Sequence, residues 1–151
     1  FQHWPGADPD RVRRVRAEAL ARLRPAPAPL RGSDRDEGAV EAAIANAERA
    51  GVAGAVRFQR CAISAAAPPE GAGPGLLVTN PPWGRRVGDE RRLRDLYARL
   101  GHLPRTSFEG WDLAFPCPSA RLARQVDPGV ERIARIPSGG VQVGLWLLPA
   151  P

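Results

Sequence analysis

Short apolar runs alternate with helical stripes along most of this chain, and that alternation limits its fold more than any other feature. Leu30–Asp34 predicts a strand with a polar end, and Glu37–Ala50 predicts a helix that stops at Gly51. Val56–Phe58 and Leu76–Val78 predict two further strands. Because strands that alternate with helices form a largely parallel sheet, the sequence predicts an α/β fold.

Local signals also predict the elements at the two ends of the chain. Asp8 and Pro9 predict the start of a helix that reaches about Leu23, and the prolines of residues 25–29 then form an extended spacer. The second half predicts a helix over Asp89–Gly101, a strand over Trp111–Phe115, a short helix over Ser119–Gln125, and a hairpin of Val130–Ile136 and Val141–Leu148 that turns at Ser138–Gly140.

The composition indicates one globular domain in a reducing setting. A chain of 151 residues with 43% hydrophobic residues can bury a single core. Cys61 and Cys117 lie far apart with no metal-ligand spacing, so we expect neither a disulfide nor a metal. A cytoplasmic location is the default for such a reducing setting. Because we find no long apolar run and no signal-peptide pattern, we expect no membrane partner.

The charge balance has two interpretations. A net charge of +6 favours a polyanionic partner such as RNA, because basic surfaces gain affinity for phosphate through counterion release. However, all 22 basic residues are arginine, alongside abundant alanine, proline and glycine, which is equally typical of a compositional bias.

The motif Asn80-Pro81-Pro82-Trp83 follows a predicted strand and carries the clearest chemical signal. The Asn80 carboxamide oxygen and the carbonyl of the next residue can accept both N–H groups of an amine, which aims its lone pair at a methyl donor. Pro81 and Pro82 hold that carbonyl in an extended bend, and Trp83 offers a face on which a base can stack. These four residues are therefore candidate catalytic residues for methylation of a ring-conjugated amine.

A second candidate site, GSDRD, lies at the end of an earlier strand. Parallel sheets bind nucleotides at the carboxyl ends of their strands, so Asp34 is the candidate for the ribose hydroxyls of a cofactor. Arg35 and Asn80 are the other candidate cofactor-binding residues. The alternative is that Asp34 or Asp36 caps the helix that begins near Glu37.

Two longer runs, GSDRDEGAVEAAIANAERAGV and LLVTNPPWGRRVGDERRLRDLYARLG, resemble the methyltransferase domain of the bacterial THUMP-domain RNA methylases. The opening FQHWPG and the closing PSGGVQVGLWLL resemble the same family, which includes ribosomal RNA guanine-N2 methyltransferases. The resemblance implies a class I, Rossmann-like fold, S-adenosylmethionine as cofactor and guanine N2 of ribosomal RNA as target. It also implies that Asp34 binds the cofactor ribose and that Asn80 to Trp83 hold the target amine.

The chain departs from the family pattern in three respects. The family's first strand, its glycine-rich loop and the RNA-capturing THUMP domain are not found, so we expect residues 1–151 to be a partial methyltransferase domain that is inactive alone. The acidic residue often found after the third strand is not seen in residues 61–64. Trp83 stands where tyrosine is more usual, which keeps the stacking face.

Other functions remain open. The same loop would serve adenine N6 or an amide, and a non-catalytic basic RNA-binding remnant is the alternative of another class. We expect no ligand or base role for His3 or His102, because methyl transfer from a sulfonium needs no strong base. Arg85 and Arg86 either contact RNA phosphate or lie in a solvated loop. Three further tryptophans are expected to be core or packing residues: Trp4, Trp111 and Trp146.

Overall fold

The computed structural model describes residues 3–26, 28–84 and 90–151, with the backbone alone for Glu90. Its helices are α1 (Pro9–Ala21), α2 (Glu37–Arg49), α3 (Glu90–His102) and α4 (Ala120–Ala123). Its strands are β1 (Leu30–Asp34), β2 (Val56–Arg60), β3 (Leu76–Val78), β4 (Asp112–Cys117), β5 (Glu131–Ser138) and β6 (Val141–Leu148). The predictions for Pro27, Arg85, Arg86 and Asp89 lie outside the described residues.

The strands form two sheets. β1 pairs in parallel with β2, while the second sheet has the order β3-β4-β6-β5. β3 and β4 are parallel, and β6 pairs antiparallel with both β4 and β5. The predicted α/β fold with a C-terminal antiparallel hairpin is therefore confirmed.

A gap separates the two sheets. Within the described residues no strand joins β1 to β3, although residues of both strands line one cavity of about 280 Å³. Leu30 of β1 and Leu76 and Val78 of β3 are exposed. Both strands thus keep one edge without a backbone partner in the part of the chain that the structure describes.

The C-terminal hairpin forms as predicted. β5 and β6 pair up to Ser138 and Val141, so the connection is the two residues Gly139 and Gly140. Their φ angles are 54° and 78°, the left-handed region that this tight turn requires and that glycine adopts without steric cost.

The core lies between α3 and the four-stranded sheet. α3 presents an apolar stripe, and the strand β4 is buried along most of its length. The largest fully buried side chains are Tyr97, Leu100, Pro104, Leu113, Phe115 and Cys117. The helix α3 follows the Asn80-Pro81-Pro82-Trp83 segment in the chain. The core that α3 helps to form therefore supports the candidate catalytic loop.

The helix α1 forms where its local signals predict it, but none of its residues is buried. The Asp8 carboxylate accepts hydrogen bonds from the amides of Asp10 and Arg11, as the capping prediction requires. No residue of α1 is buried, and Trp4 just before it is 65% exposed. A core position for Trp4 is therefore ruled out, whereas Trp146 is buried as predicted.

The predicted helix over Ser119–Gln125 is longer than the one found. Ser119 is the N-cap of α4, and its hydroxyl accepts a hydrogen bond from the Leu122 amide, but the helix ends at Ala123. None of the helices in the described stretches is long and apolar enough to cross a membrane.

Candidate active site

The sheet determines where Asn80 lies. β3 pairs with β4 from Leu76 to Val78, and the Thr79 amide donates one further hydrogen bond to the Ala114 carbonyl at 3.1 Å. Asn80 is therefore the first residue beyond the ladder at the carboxyl end of β3, which is the edge at which α/β sheets bind their ligands. Its side chain is exposed and hydrogen-bonds to none of the described residues.

Two hydrogen bonds tie the rest of the motif to the core. The Trp83 indole N–H donates to the Pro116 carbonyl of β4 at 3.0 Å. The Tyr97 hydroxyl of α3 donates to the Pro82 carbonyl at 3.4 Å. Pro81 is buried and Trp83 is half-buried, so the loop is packed at its base and open at Asn80.

Gly84 allows the chain to leave the motif towards α3. Its φ is 70°, in the left-handed region, and a Cβ atom there would collide with the Leu93 side chain. The left-handed conformation therefore favours glycine directly after Trp83, and any larger residue would also displace the Leu93 side chain. Sequence reasoning missed this residue, although a glycine immediately after the motif was visible.

The motif opens onto a cavity of about 860 Å³. Asn80, Pro82 and Trp83 line it, together with Leu93 and Leu96 of α3. Among the described residues, the charged ones in its wall are Arg35, Arg92, Asp95 and Arg99. With three cations against one anion, this wall favours an anionic ligand.

The second candidate site is partly engaged in local hydrogen bonds. One Asp34 carboxylate oxygen accepts from the Asp36 amide at 2.9 Å, and the Asp36 carboxylate accepts from the Ala39 amide at 2.9 Å. Asp36 is therefore the cap of α2, as the alternative interpretation held for that residue. Asp34 is exposed and shapes the turn before the cap, and its cofactor role stays a prediction.

Arg35 brings the two candidate sites together. It follows β1 directly and lines the same cavity as Asn80 beyond β3, so the ends of the two strands open on one side of the molecule. Asp34 is not among the described residues that line this cavity. Arg60 supports the turn from β2, since its Nε donates to the Arg35 carbonyl at 3.2 Å.

Comparison with known proteins gives the family. Residues 2–122 match the family model of the RMKL-like methyltransferase domain. The chain belongs to this family. The chain is also similar to the ribosomal RNA large subunit methyltransferase K/L of Chromohalobacter salexigens, with 36% identity over 99% of this chain and 21% of that protein. The chain thus spans about a fifth of that relative's length, and the predicted resemblance to RNA methylases is confirmed.

Solved structures share the fold of this RMKL-like domain. One is that of SMU.472, crystallised in complex with SAH, with a TM-score of 0.75, 22% identity and coverage of 100% of this chain and 40% of the other. Another is described as a predicted N6-adenine-specific DNA methylase from Listeria monocytogenes, with a TM-score of 0.62, 25% identity and coverage of 80% and 30%.

Tyr97 is a fully buried residue whose hydroxyl contacts the motif of this RMKL-like domain. Burial raises the pKa of its hydroxyl far above the ordinary value, and the neighbouring Cys117 thiol raises it further. Sequence reasoning assigned Tyr97 only to the apolar stripe of α3. The contact with Pro82 spans 15 residues, so no local pattern could have indicated it.

Proposed function

We propose that this domain transfers a methyl group from S-adenosylmethionine to an exocyclic amine of RNA, with guanine N2 of ribosomal RNA as the favoured target. The observation that carries the proposal is the position of Asn80. Its carboxamide stands at the carboxyl end of β3, without a hydrogen-bond partner among the described residues, at the rim of a cavity lined by arginines.

The chemistry of the loop follows from its acceptors. When bound, S-adenosylmethionine supplies an electrophilic methyl group. The Asn80 oxygen and the Pro81 carbonyl would accept the two amine N–H groups, which orients the nitrogen lone pair and prevents its delocalisation into the ring. Trp83 would stack on the base, and no residue needs to remove a proton before the attack.

The cofactor proposal is supported at the end of β1. Asp34 uses one carboxylate oxygen for the Asp36 amide, and the other makes no hydrogen bond with the described residues. That oxygen suits the ribose hydroxyls of the cofactor, while Arg35 faces the shared cavity. SAH, the demethylated form of the cofactor, is bound in the structurally similar SMU.472.

The RNA proposal is supported by charge and by the relatives. Arg35, Arg92 and Arg99 surround the cavity and would bind phosphates near the target nucleotide. The similar K/L proteins are described as methyltransferases of the large-subunit ribosomal RNA. A cytoplasmic location, where ribosomal RNA is available in bacteria, agrees with this substrate.

Adenine N6 is the second candidate target. The structural similarity to the Listeria protein, described as an N6-adenine-specific methylase, favours it. Both targets are ring-conjugated amines that the same pair of acceptors would hold, so the loop does not distinguish them.

The test compares Asn80→Ala with Asn46→Ala in the complete gene product. Asn46, the other asparagine of the chain, is exposed on α2 and bonds with Arg49, so its replacement is a matched control. We expect Asn80→Ala to lower kcat at least about 100-fold, or about 3 kcal/mol of barrier, with little change in cofactor affinity. Asn46→Ala should remain near wild type.

The assay is methyl transfer from labelled S-adenosylmethionine to unmodified ribosomal RNA, followed by nucleoside analysis. Labelled N2-methylguanosine supports the favoured target, and labelled N6-methyladenosine the second. Near-normal turnover of Asn80→Ala would refute the assignment of the loop. Binding of RNA without any methyl transfer by the wild type would favour the non-catalytic alternative.

A further inference from the structure

Packing of the core requires the aromatic ring of Tyr97 but not its hydroxyl group. Tyr97 is fully buried, and its ring packs edge-on against Phe115, with the ring centroids 5.9 Å apart. A phenylalanine would make the same ring contact. A buried hydroxyl costs free energy unless it is hydrogen-bonded, and this one has the Pro82 carbonyl of the loop as acceptor.

A second hydrogen bond joins the motif to the same part of the core. Trp83, the residue after Pro82, donates its indole N–H to the Pro116 carbonyl. Pro116 follows Phe115, the residue on which the Tyr97 ring packs. The last two residues of the motif are therefore tied to one short segment of β4, one through α3 and one directly.

The Tyr97 hydroxyl remains a donor at any pH at which the protein works. Burial is the main reason why its pKa is raised, and the Cys117 thiol is the second. That thiol donates its own hydrogen to the Ser119 carbonyl at 3.3 Å.

We propose that Tyr97 is a positioning residue for methyl transfer, which holds the Pro82 carbonyl and thereby aims the Asn80 carboxamide and the Pro81 carbonyl. This inference rests on the proposed function. Proline restricts φ to about −65°, so two consecutive prolines transmit the position of the Pro82 end to the acceptor end of the loop. Misplacement of a reacting group by about 1 Å can cost up to about 100-fold in rate.

The first test is Tyr97→Phe in the complete gene product, which removes the hydroxyl and keeps the ring. Thr106→Val is the matched control, because Thr106 donates a hydroxyl bond to the His102 carbonyl at the far end of α3, at 2.8 Å. We expect Tyr97→Phe to lower kcat about 10-fold, with the S-adenosylmethionine Kd and the KM for RNA changed less than about twofold, as a positioning role requires. Thr106→Val should keep its kcat. A wild-type kcat in Tyr97→Phe, or a loss explained wholly by cofactor affinity, would overturn the inference.

The second test does not depend on methyl transfer. Trp146 donates its indole N–H to the Cys117 carbonyl at 2.9 Å, one residue beyond the carbonyl that Trp83 uses. In Tyr97→Phe we expect hydrogen exchange of the Trp83 indole N–H, followed by NMR, to be at least about tenfold faster. The reason is that the loop loses the hydrogen bond from Tyr97, one of the two described bonds that hold it to the core. Exchange at Trp146 should not change.

The two tests separate the two proposals. If the wild-type gene product transfers no methyl group, the proposed function fails, while the exchange measurement still decides whether Tyr97 holds the loop. Equal exchange at Trp83 in Tyr97→Phe and in the wild type would refute the positioning role even where methyl transfer is found.

Discussion

Trp83 has two separable contacts, and a substitution series measures each. Its indole N–H donates to the Pro116 carbonyl at 3.0 Å, and its ring lines the cavity beside Asn80. Trp83→Phe removes the hydrogen bond and keeps an aromatic face. Trp83→Ala removes both. Trp83→Tyr keeps a face but has no N–H at the indole position, so it should behave like Trp83→Phe.

The magnitudes follow from those contacts. A neutral, half-buried N–H to carbonyl bond contributes about 1 kcal/mol net, which corresponds to about a fivefold loss of kcat/KM for Trp83→Phe and Trp83→Tyr. Stacking on a base contributes about 1–3 kcal/mol more, so Trp83→Ala should lose about 30-fold or more. Trp83→Tyr is thus expected to retain about a fifth of the activity, because it keeps the stacking face and loses the indole hydrogen bond.

The assay is kcat/KM for RNA in the complete gene product, with the thermal midpoint measured in parallel. Trp146→Phe is the matched control: it removes the same type of bond, to Cys117, from the core behind the site. Trp146→Phe should lower the thermal midpoint and leave kcat/KM per folded molecule unchanged. If Trp83→Tyr and Trp83→Phe were as damaging as Trp83→Ala, stacking would be the wrong role for Trp83.

Two further predictions concern the cofactor and the open sheet edges. Asp34→Asn keeps an acceptor for the Asp36 amide but removes the charge, so calorimetry should show S-adenosylmethionine binding weakened by about 1.5–3 kcal/mol. Unchanged affinity would mean that Asp34 only shapes the turn before α2. We propose that residues 1–151 by themselves form a partial domain. Leu76 is 54% and Val78 66% exposed on β3, which pairs with β4 on one edge and with no described strand on the other, and each side chain would contribute about 1–2 kcal/mol if covered, a large share of a total stability of about 5–15 kcal/mol. We therefore expect denaturant titration of the chain alone to show low stability, and the methyl-transfer assay to show no turnover; saturable micromolar cofactor binding with turnover would contradict this.

The sequence by itself determined the elements and the candidate loop. The Asp8 cap, Gly51 after α2 and the Gly139-Gly140 turn act within a few residues of their positions, and all three are found where their local chemistry predicts. Asn80 was also placed correctly at a strand end, because a short apolar run followed by Asn-Pro-Pro is a local pattern. Such signals depend on backbone sterics and on neighbouring side chains, which the sequence displays directly.

Tertiary structure alone decided how the loop is held and what remains uncovered. The bonds from Trp83 to Pro116 and from Tyr97 to Pro82 join residues 33 and 15 positions apart, and they form because the loop packs against β4 and against α3. The exposure of Trp4 likewise depends on which layers cover it. Periodicity identifies the apolar side of an element, but the partner of that side is set by packing between segments that are distant in the chain.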